Sequence, residues 1–286
     1  MSRLFIFYTR LRTEEKLLFR AAEERGIPFS AVNVSDGLWP NVPGEAGDAA
    51  LCRCVSQTQN SALAVLLESR GVLTINSSDV MARCGDKIVT AAKLSAAGIP
   101  QPEYAVAFSP EGAIQGAERL GYPLVIKPAT GSWGRLLAKI NDRDALEAVA
   151  EHKVHMGAAH SVLFMQQYVE KKGFDLRATL LGGEALTVIK RCSDHWITNT
   201  ARGATPANYP LSPEIKALLG RVQNAIGGEV LAVDLFEKPE GGWMVNEVNG
   251  QPEFRSSDGE LTGVDIAGRL VEHAWSLVSG AGKAKG

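Results

Sequence analysis

Glu247 and Asn249 stand in MVNEVNG, residues 244–250, whose other positions are those of a buried β-strand. An acid and an amide suit a strand interior poorly, so they ask for a chemical reason. Residues 230–236 (VLAVDLF) and 242–249 (GWMVNEVN) flank the turn-rich EKPEGG. Together they predict an antiparallel hairpin centred near Glu240–Gly241. A symmetric register sets Asp234 opposite Glu247, and alternation brings Asp234, Glu247 and Asn249 to one face. Two ionised carboxylates so placed repel unless a cation lies between them. An oxygen-only donor set suits Mg2+, or Mn2+, which takes a few carboxylates together with phosphate and water. The plain alternative is the polar, solvent-facing side of an edge hairpin.

Cations cluster elsewhere in the sequence. Lys127 ends the apolar strand of LVIKPATGSWGR, residues 124–135, and a loop containing Gly131 and Gly134 follows. A cation beside backbone N–H groups freed by glycine makes a phosphate site. A hairpin turn with an exposed lysine reads the same way, and the pattern is not G-x-x-x-x-G-K-S/T. Lys87 opens an amphipathic helix in CGDKIVTAAKL; Arg177, Lys190 and Arg191 lie in RATLLGGEALTVIKR; Asn199 and Arg202 lie in NTARG. A phosphate-rich substrate would use them all; otherwise they are solvated faces. Trp133 and Trp196 either cover such a site or pack in a core. His195 lies beside Ser193 and Asp194, but sequence neighbours in a chain point apart and no G-x-S-x-G elbow is present. A hydrolase triad is therefore set aside.

The elements that must hold these groups follow a regular order. Strands over RLFIFYT, IPFSAVNV, ALCRCVS and VLTINS alternate with helices from Thr13 to Arg25, capped by Thr13, and over QNSALAVLLESRG. Such β-α-β alternation predicts a parallel, Rossmann-like sheet, but no G-x-G-x-x-G follows the first strand. A helix over residues 79–97 opens a second unit, with strands at EYAVAFS, GYPLVIKPAT and LLAKI. A third begins with VLFMQQYVE and contains two strands joined by a Gly-Gly turn, a helix, the acidic hairpin and a last helix. The reading is an α/β protein of three units, 1–78, 79–164 and 165–286. A length of 286 residues suits two or three cores. A net charge of −2 suggests neither a nucleic-acid nor a membrane surface. No apolar run reaches a spanning length, the N-terminal run is too short for a signal core, and four cysteines in no zinc spacing read as reduced thiols. The expected location is the cytoplasm.

Taken together, GDK, VIKPATGSWGR, QQYVEKKGFDLR, IKRCSDHWITNTARG, AVDLF and NEVN occur in the order of an ATP-grasp ligase. The chain resembles the RimK-like branch, and within it the LysX and ArgX group. That group joins α-aminoadipate or glutamate to the small acidic amino-group carrier protein LysW. The resemblance covers almost the whole chain, and GSWGR and HWITNTARG are its specific motifs. It implies an N-terminal pre-ATP-grasp domain and two ATP-grasp domains, with ATP between the second and third. It further implies that Lys87 and Lys127 contact phosphates, and that Gly131, Ser132, Trp133, Gly134 and Arg135 form the loop over them. Gln166, Gln167, Tyr168 and Val169 match the adenine hinge, with Glu170 or Asp175 near the ribose. Asp234, Glu247 and Asn249 match the magnesium ligands. Arg177, Lys190, Asn199 and Arg202 match positions near the acyl phosphate and substrates, with Arg191 and His195 beside them.

The implied chemistry is phosphorylation of a carboxylate by ATP, then attack by an amine, in a homo-oligomer (dimer or tetramer). A related peptide ligase of secondary metabolism with another amino acid is the alternative. Two departures stand out. The hinge has Gln167 where the family has Glu, and Gly250, Gln251 and Pro252 replace a Thr-containing segment. Arg255 in the latter stretch is a candidate for the amino acid's carboxylate, or else a surface arginine.

Overall fold

The computed structural model describes residues 2–37, 39–131, 136–199, 203–255 and 259–280. Its first unit contains β1 (Leu4–Tyr8), α1 (Thr13–Glu24), β2 (Phe29–Asn33), β3 (Ala49–Cys52), α2 (Gln57–Glu68) and β4 (Leu73–Ile75). The strands form a parallel sheet in the order β2-β1-β3-β4. β1 is apolar at each of its first four positions because both faces are covered. Phe5 and Phe7 pack with Leu63 and Leu67 of α2, while Leu4 and Ile6 pack with Leu18 and Ala22 of α1. The cap of α1 is Arg12 and not Thr13, which is already helical; Glu15 accepts the Arg12 backbone N–H at 3.0 Å.

The second unit opens with α3 (Ser78–Gly85) and α4 (Lys87–Ala96). A single helix over 79–97 was expected, and Asp86 breaks it. Its backbone is extended, and its carboxylate accepts N–H bonds from Ile88 (2.8 Å) and Val89 (3.4 Å). Gly and Asp have weak helix propensity, and Asp is a strong cap. The break lets the Lys87 N–H donate to the Ala129 carbonyl at 2.9 Å, anchoring α4 to the strand that carries Lys127. β5 (Tyr104–Ala107), α5 (Pro110–Leu120), β6 (Leu124–Pro128), β7 (Ala138–Ile140), α6 (Arg143–His155) and β8 (Leu163–Gln167) follow. They form an antiparallel sheet, β5-β8-β6-β7, with α5 and α6 packed against it. All of β8 belongs to this sheet, including Met165, Gln166 and Gln167, which the sequence reading assigned to the third unit.

The third unit holds β9 (Phe174–Leu181), β10 (Glu184–Cys192), β11 (Thr205–Asn208), α7 (Pro213–Ile226), β12 (Val230–Glu237), β13 (Trp243–Asn249), α8 (Gly259–Thr262) and α9 (Ile266–Ser276). Its antiparallel sheet runs β11-β10-β9-β12-β13. Gly182 and Gly183, with φ of 55° and 84°, make the predicted turn between β9 and β10. β11 was not foreseen. One sheet face carries Leu176, Ala178, Val188, Val233, Val245 and Val248 onto Leu218, Leu219 and Val222 of α7. α9 returns to the first unit, where Ile266, Leu270 and Val271 join the core of Leu4, Ile6 and Leu18. Among the described residues no helix is long and apolar enough to cross a membrane.

Candidate active site

The free face of the third sheet looks toward the second unit, and a cavity of about 720 Å³, its open mouth included, lies between them. Lys127 at the end of β6, Gln166 to Val169 at the end of β8, Trp196 to Asn199 after β10, and Phe236, Asn246 and Glu247 of the hairpin line it. The hairpin has the predicted register, with Asp234 opposite Glu247. A bulge then shifts the pairing, so that Leu235 faces Val245 and Asn246 is the extra residue. Val245 and Val248 stay in the core, which leaves Asn246, Glu247 and Asn249 available to the site. The spacing of those two valines, three rather than two, is the sequence signal of the bulge.

Asp234 does not depend on a metal for its countercharge. Arg177 donates to both its oxygens (2.7 and 3.0 Å), and Arg191 lies 3.0 Å from Oδ2. Burial alone would raise its pKa, but the two guanidiniums outweigh that and hold it at about 2. Arg191, itself buried, also forks onto Asp175 with two bonds of 2.7 Å. Thr198 donates to Asp175 at 2.6 Å, and Lys171 donates to Thr198 at 2.9 Å. Asp175, expected near the ribose, is thus committed to this network, and burial pushes its carboxyl upward. Glu247 faces Lys87 at 3.4 Å, and Lys87 donates to the Gly131 carbonyl at 2.7 Å.

Lys127 is held by two neutral acceptors, Gln166 Oε1 at 2.5 Å and Asn246 Oδ1 at 2.8 Å. Burial depresses its pKa to about 8; Glu247 and Asp234 resist that shift, while Lys87 and Lys171 add to it. The site therefore gathers five cations (Lys87, Lys127, Lys171, Arg177 and Arg191) around three carboxylates (Asp175, Asp234 and Glu247). Such an excess suits a polyphosphate anion.

A second cavity, of about 990 Å³ with its open mouth, adjoins the first and shares Gly131, Asn199 and Glu247 with it. Its walls include Arg12, Cys54, Gln57, Cys84, Arg177, Arg191 and residues 249–253. Among the described residues, two buried N–H donors of this wall, Asn249 Nδ2 and Gln251 Nε2, have no partner. Unpaired buried donors mark a place for acceptor oxygens.

Of the residues singled out from sequence, Lys87, Lys127, Gly131, Gln167, Tyr168, Val169, Asp175, Arg177, Arg191, Asn199, Glu247 and Asn249 line one cavity or both. Asp234 sits behind Arg177. Four are not brought to the cavities, exposed Glu170 among them. Lys190 alternates with Arg191, so it leaves on the α7 face with its ammonium 4.0 Å from the Phe174 ring. His195 is exposed and stacks on Trp196, its Nδ1 accepting the Ile197 N–H at 2.9 Å. Arg255 is exposed and lines neither cavity. Ser132, Trp133, Gly134, Arg135 and Arg202 lie outside the described residues. Lys171, Asn246, Arg12 and Glu253 were not foreseen as site residues, whereas Gln251 belongs to the segment already singled out as bearing on the choice of amino acid. For Asn246 the valine spacing was available; for the others the approach of distant segments is the only signal.

Among the described residues no group of three or more His, Cys, Asp or Glu is arranged to hold a metal. The set expected here has two carboxylates and an amide. Glu247 is partly exposed between the cavities, Asn249 has an unpaired amide atom, and Asp234 has accepted three of about four possible bonds. These residues fit a hard divalent cation that also takes phosphate oxygens.

Comparisons with known proteins agree with the geometry. A RimK-like ATP-grasp domain matches residues 84–274, and a LysX preATP-grasp domain matches residues 4–83. The chain is 36% identical over 275 residues to glutamate–LysW ligase ArgX of Sulfurisphaera tokodaii, covering 95% of this chain and 97% of that one. It is 35% identical over 261 residues to alpha-aminoadipate–LysW ligase LysX of the same organism, covering 89% and 92%. Among solved structures, a RimK domain ATP-grasp protein from Sphaerobacter thermophilus superposes with a TM-score of 0.78 at 28% identity, covering 95% and 98%. D-alanine–D-alanine ligase from Bacillus anthracis, complexed with ATP, shares the fold at 16% identity, with a TM-score of 0.71 and 98% of each chain covered.

Proposed function

The chain belongs to the RimK-like ATP-grasp family, and on that premise we propose that it is an ATP-dependent carboxylate–amine ligase of arginine or lysine biosynthesis. It joins the side-chain carboxyl of a LysW-like carrier's C-terminal Glu to the amino group of glutamate or α-aminoadipate. The reading is carried by the meeting of two cavities at Gly131, Asn199 and Glu247. One has the charge for a nucleotide, and the other has unpaired donors for carboxylate oxygens. The domains divide near residue 78 and near the end of β8, with ATP between the second and third. The protein works in the cytoplasm as a homo-oligomer.

A carboxylate is a poor electrophile, and phosphoryl transfer from ATP converts it to an acyl phosphate. Lys127 and Lys87 hold the phosphates. Arg177 and Arg191, fixed by Asp234 and Asp175, stand in the wall of the second cavity, where the oxyanion of the amine addition develops. Preorganised in this way, they need no reorganisation during the reaction. Asp234, Glu247 and Asn249 would hold Mg2+, or Mn2+ in its place, which when bound offsets phosphate charge. No covalent enzyme intermediate is required.

The test is ADP formation with Mg2+, a LysW-like carrier and a panel of amino acids. ADP release that needs both carrier and amino acid supports the reading; no ADP with any acceptor refutes it. Glu247→Gln should abolish turnover while weakening nucleotide binding far less.

A further inference from the structure

The segment after β13 is stapled to the first unit residue by residue. Asn76 Nδ2 donates to the Gly250 carbonyl at 2.5 Å, and Arg53 Nη1 donates to the Pro252 carbonyl at 3.0 Å. Phe254 is fully buried. Between these anchors the side chains of Gln251 and Glu253 line the second cavity. Glu253 pairs with Arg12, Oε1 to Nη1, at 3.1 Å.

Arg12 is held rigidly from behind. Glu15, with no exposed side-chain surface, accepts from Arg12 Nε at 3.0 Å and Nη2 at 2.8 Å. Arg53, also buried, reaches Glu15 at 3.3 Å. Arg12, Glu15 and Arg53 alone sum to one positive charge, and buried Glu14 acts on both guanidiniums as well. Glu253 is the carboxylate that meets Arg12 from the cavity side, with 38% of its side chain exposed.

The orientation of Gln251 adds a second observation. Asn60 is fixed by the backbone of Cys54, its Oδ1 accepting the N–H and its Nδ2 donating to the carbonyl, both at 2.7 Å. Asn60 Nδ2 also donates to Gln251 Oε1. Gln251 must therefore present its oxygen to Asn60, and its buried Nε2 has no partner among the described residues. A fixed guanidinium edge and an unpaired amide donor, two residues from a displaceable carboxylate, form a carboxylate receptor with its own placeholder.

We propose that Arg12 and Gln251 recognise a carboxylate of the amine-donating amino acid, and that Glu253 occupies this position until the substrate displaces it. The inference rests on the ligase reading and assigns its specificity contact. It moves that role from Arg255, which lines neither cavity, to a residue of the first unit.

The test is calorimetric titration of the full chain, with Mg2+ and a non-hydrolysable ATP analogue present. The titrants are L-glutamate, L-α-aminoadipate and L-glutamine. Glu253→Gln should bind amino acid several-fold more tightly than wild type, because the internal competitor is neutralised, with nucleotide affinity unchanged. Arg12→Gln should lose about tenfold to a hundredfold, the range for a hydrogen bond to a charged group. Tightening for glutamate and glutamine alike assigns the α-carboxylate; tightening only for the diacids assigns the side-chain carboxylate. Unchanged or weaker binding by Glu253→Gln overturns the proposal, as does absence of binding by both it and the wild type. This variant decides the matter even if Arg12→Gln, which strands Glu15, does not fold. ADP formation by the wild type judges the ligase reading separately: bound amino acid without ADP formation sinks that reading and leaves the receptor standing.

Discussion

Raising the pH should weaken nucleotide binding through one residue, Lys127. Its side chain is half-buried, its ammonium bonded to the amides of Gln166 and Asn246, and its pKa is depressed to about 8 from an ordinary 10.5. Burial is the main cause, and the nearby Glu247 only partly offsets it. With that value, about nine-tenths of the molecules carry the charge at pH 7 and about one-tenth at pH 9. If only the charged form holds phosphate, affinity falls about tenfold over that interval. Bound phosphate favours the ammonium, so the fall begins near 8 and levels off once pH passes the higher pKa of the complex.

The stability effect of the same group has the opposite sign. Between pH 8 and 10.5 the unfolded chain binds more protons at this lysine than the folded chain, so the free protein gains stability there as pH rises. Weaker binding at pH 9 therefore cannot be assigned to unfolding caused by Lys127. The assay is titration with a non-hydrolysable ATP analogue from pH 7 to 9.5, run in parallel on Lys127→Arg, which keeps its charge. Arginine controls for proton changes on the nucleotide. Parallel profiles for the two proteins would refute the assignment of Lys127 as a phosphate contact.

Three further outcomes follow from the packing. Lys190→Met should change turnover by no more than about twofold, because its side chain lies on the α7 face; Arg177→Met, in the cavity wall, should cost at least about a hundredfold. Equal losses in ADP formation would contradict the strand register. Asp175→Asn removes one of the two carboxylates that hold buried Arg191, and should lower stability by about 3 kcal/mol in urea denaturation; an unchanged midpoint would show that Asp234 alone suffices. Gly250→Ala sets a methyl 3.2 Å from Cys84 Cβ and 3.5 Å from Asn76 Nδ2. It should cost about 1–3 kcal/mol and raise the amino-acid KM more than the ATP KM, since Gly250 lines only the second cavity; the reverse order would place the segment wrongly.

Much of the architecture was legible before the fold was seen, because it depends on short-range pattern. Alternating apolar strands and capped helices specify the parallel first sheet, the Gly-Gly turn specifies the β9–β10 hairpin, and the symmetry of the acidic hairpin specifies Asp234 opposite Glu247. Where local signals were weighed wrongly, a local cause is visible. Asp86 caps a new helix instead of continuing an old one, and the spacing of Val245 and Val248 already contained the bulge. Lys190 was grouped with Arg177 by proximity in sequence, although strand alternation separates it from Arg191.

Residue type and spacing alone determined which charged groups share a face within one hairpin or one strand, because strand periodicity is local. Tertiary structure alone decided how those charges are used. Asp234 is neutralised by arginines from two other strands, and Asp175 is committed to Arg191. Arg12 meets Glu253, and Arg53 meets the Pro252 carbonyl, from more than 190 positions away. α9 completes the core of the first sheet, packing on β1 and α1. Contacts at such separations have no period to reveal them. They follow from which buried surfaces and unpaired donors the assembled units can satisfy together, and in this protein that assembly forms the second cavity.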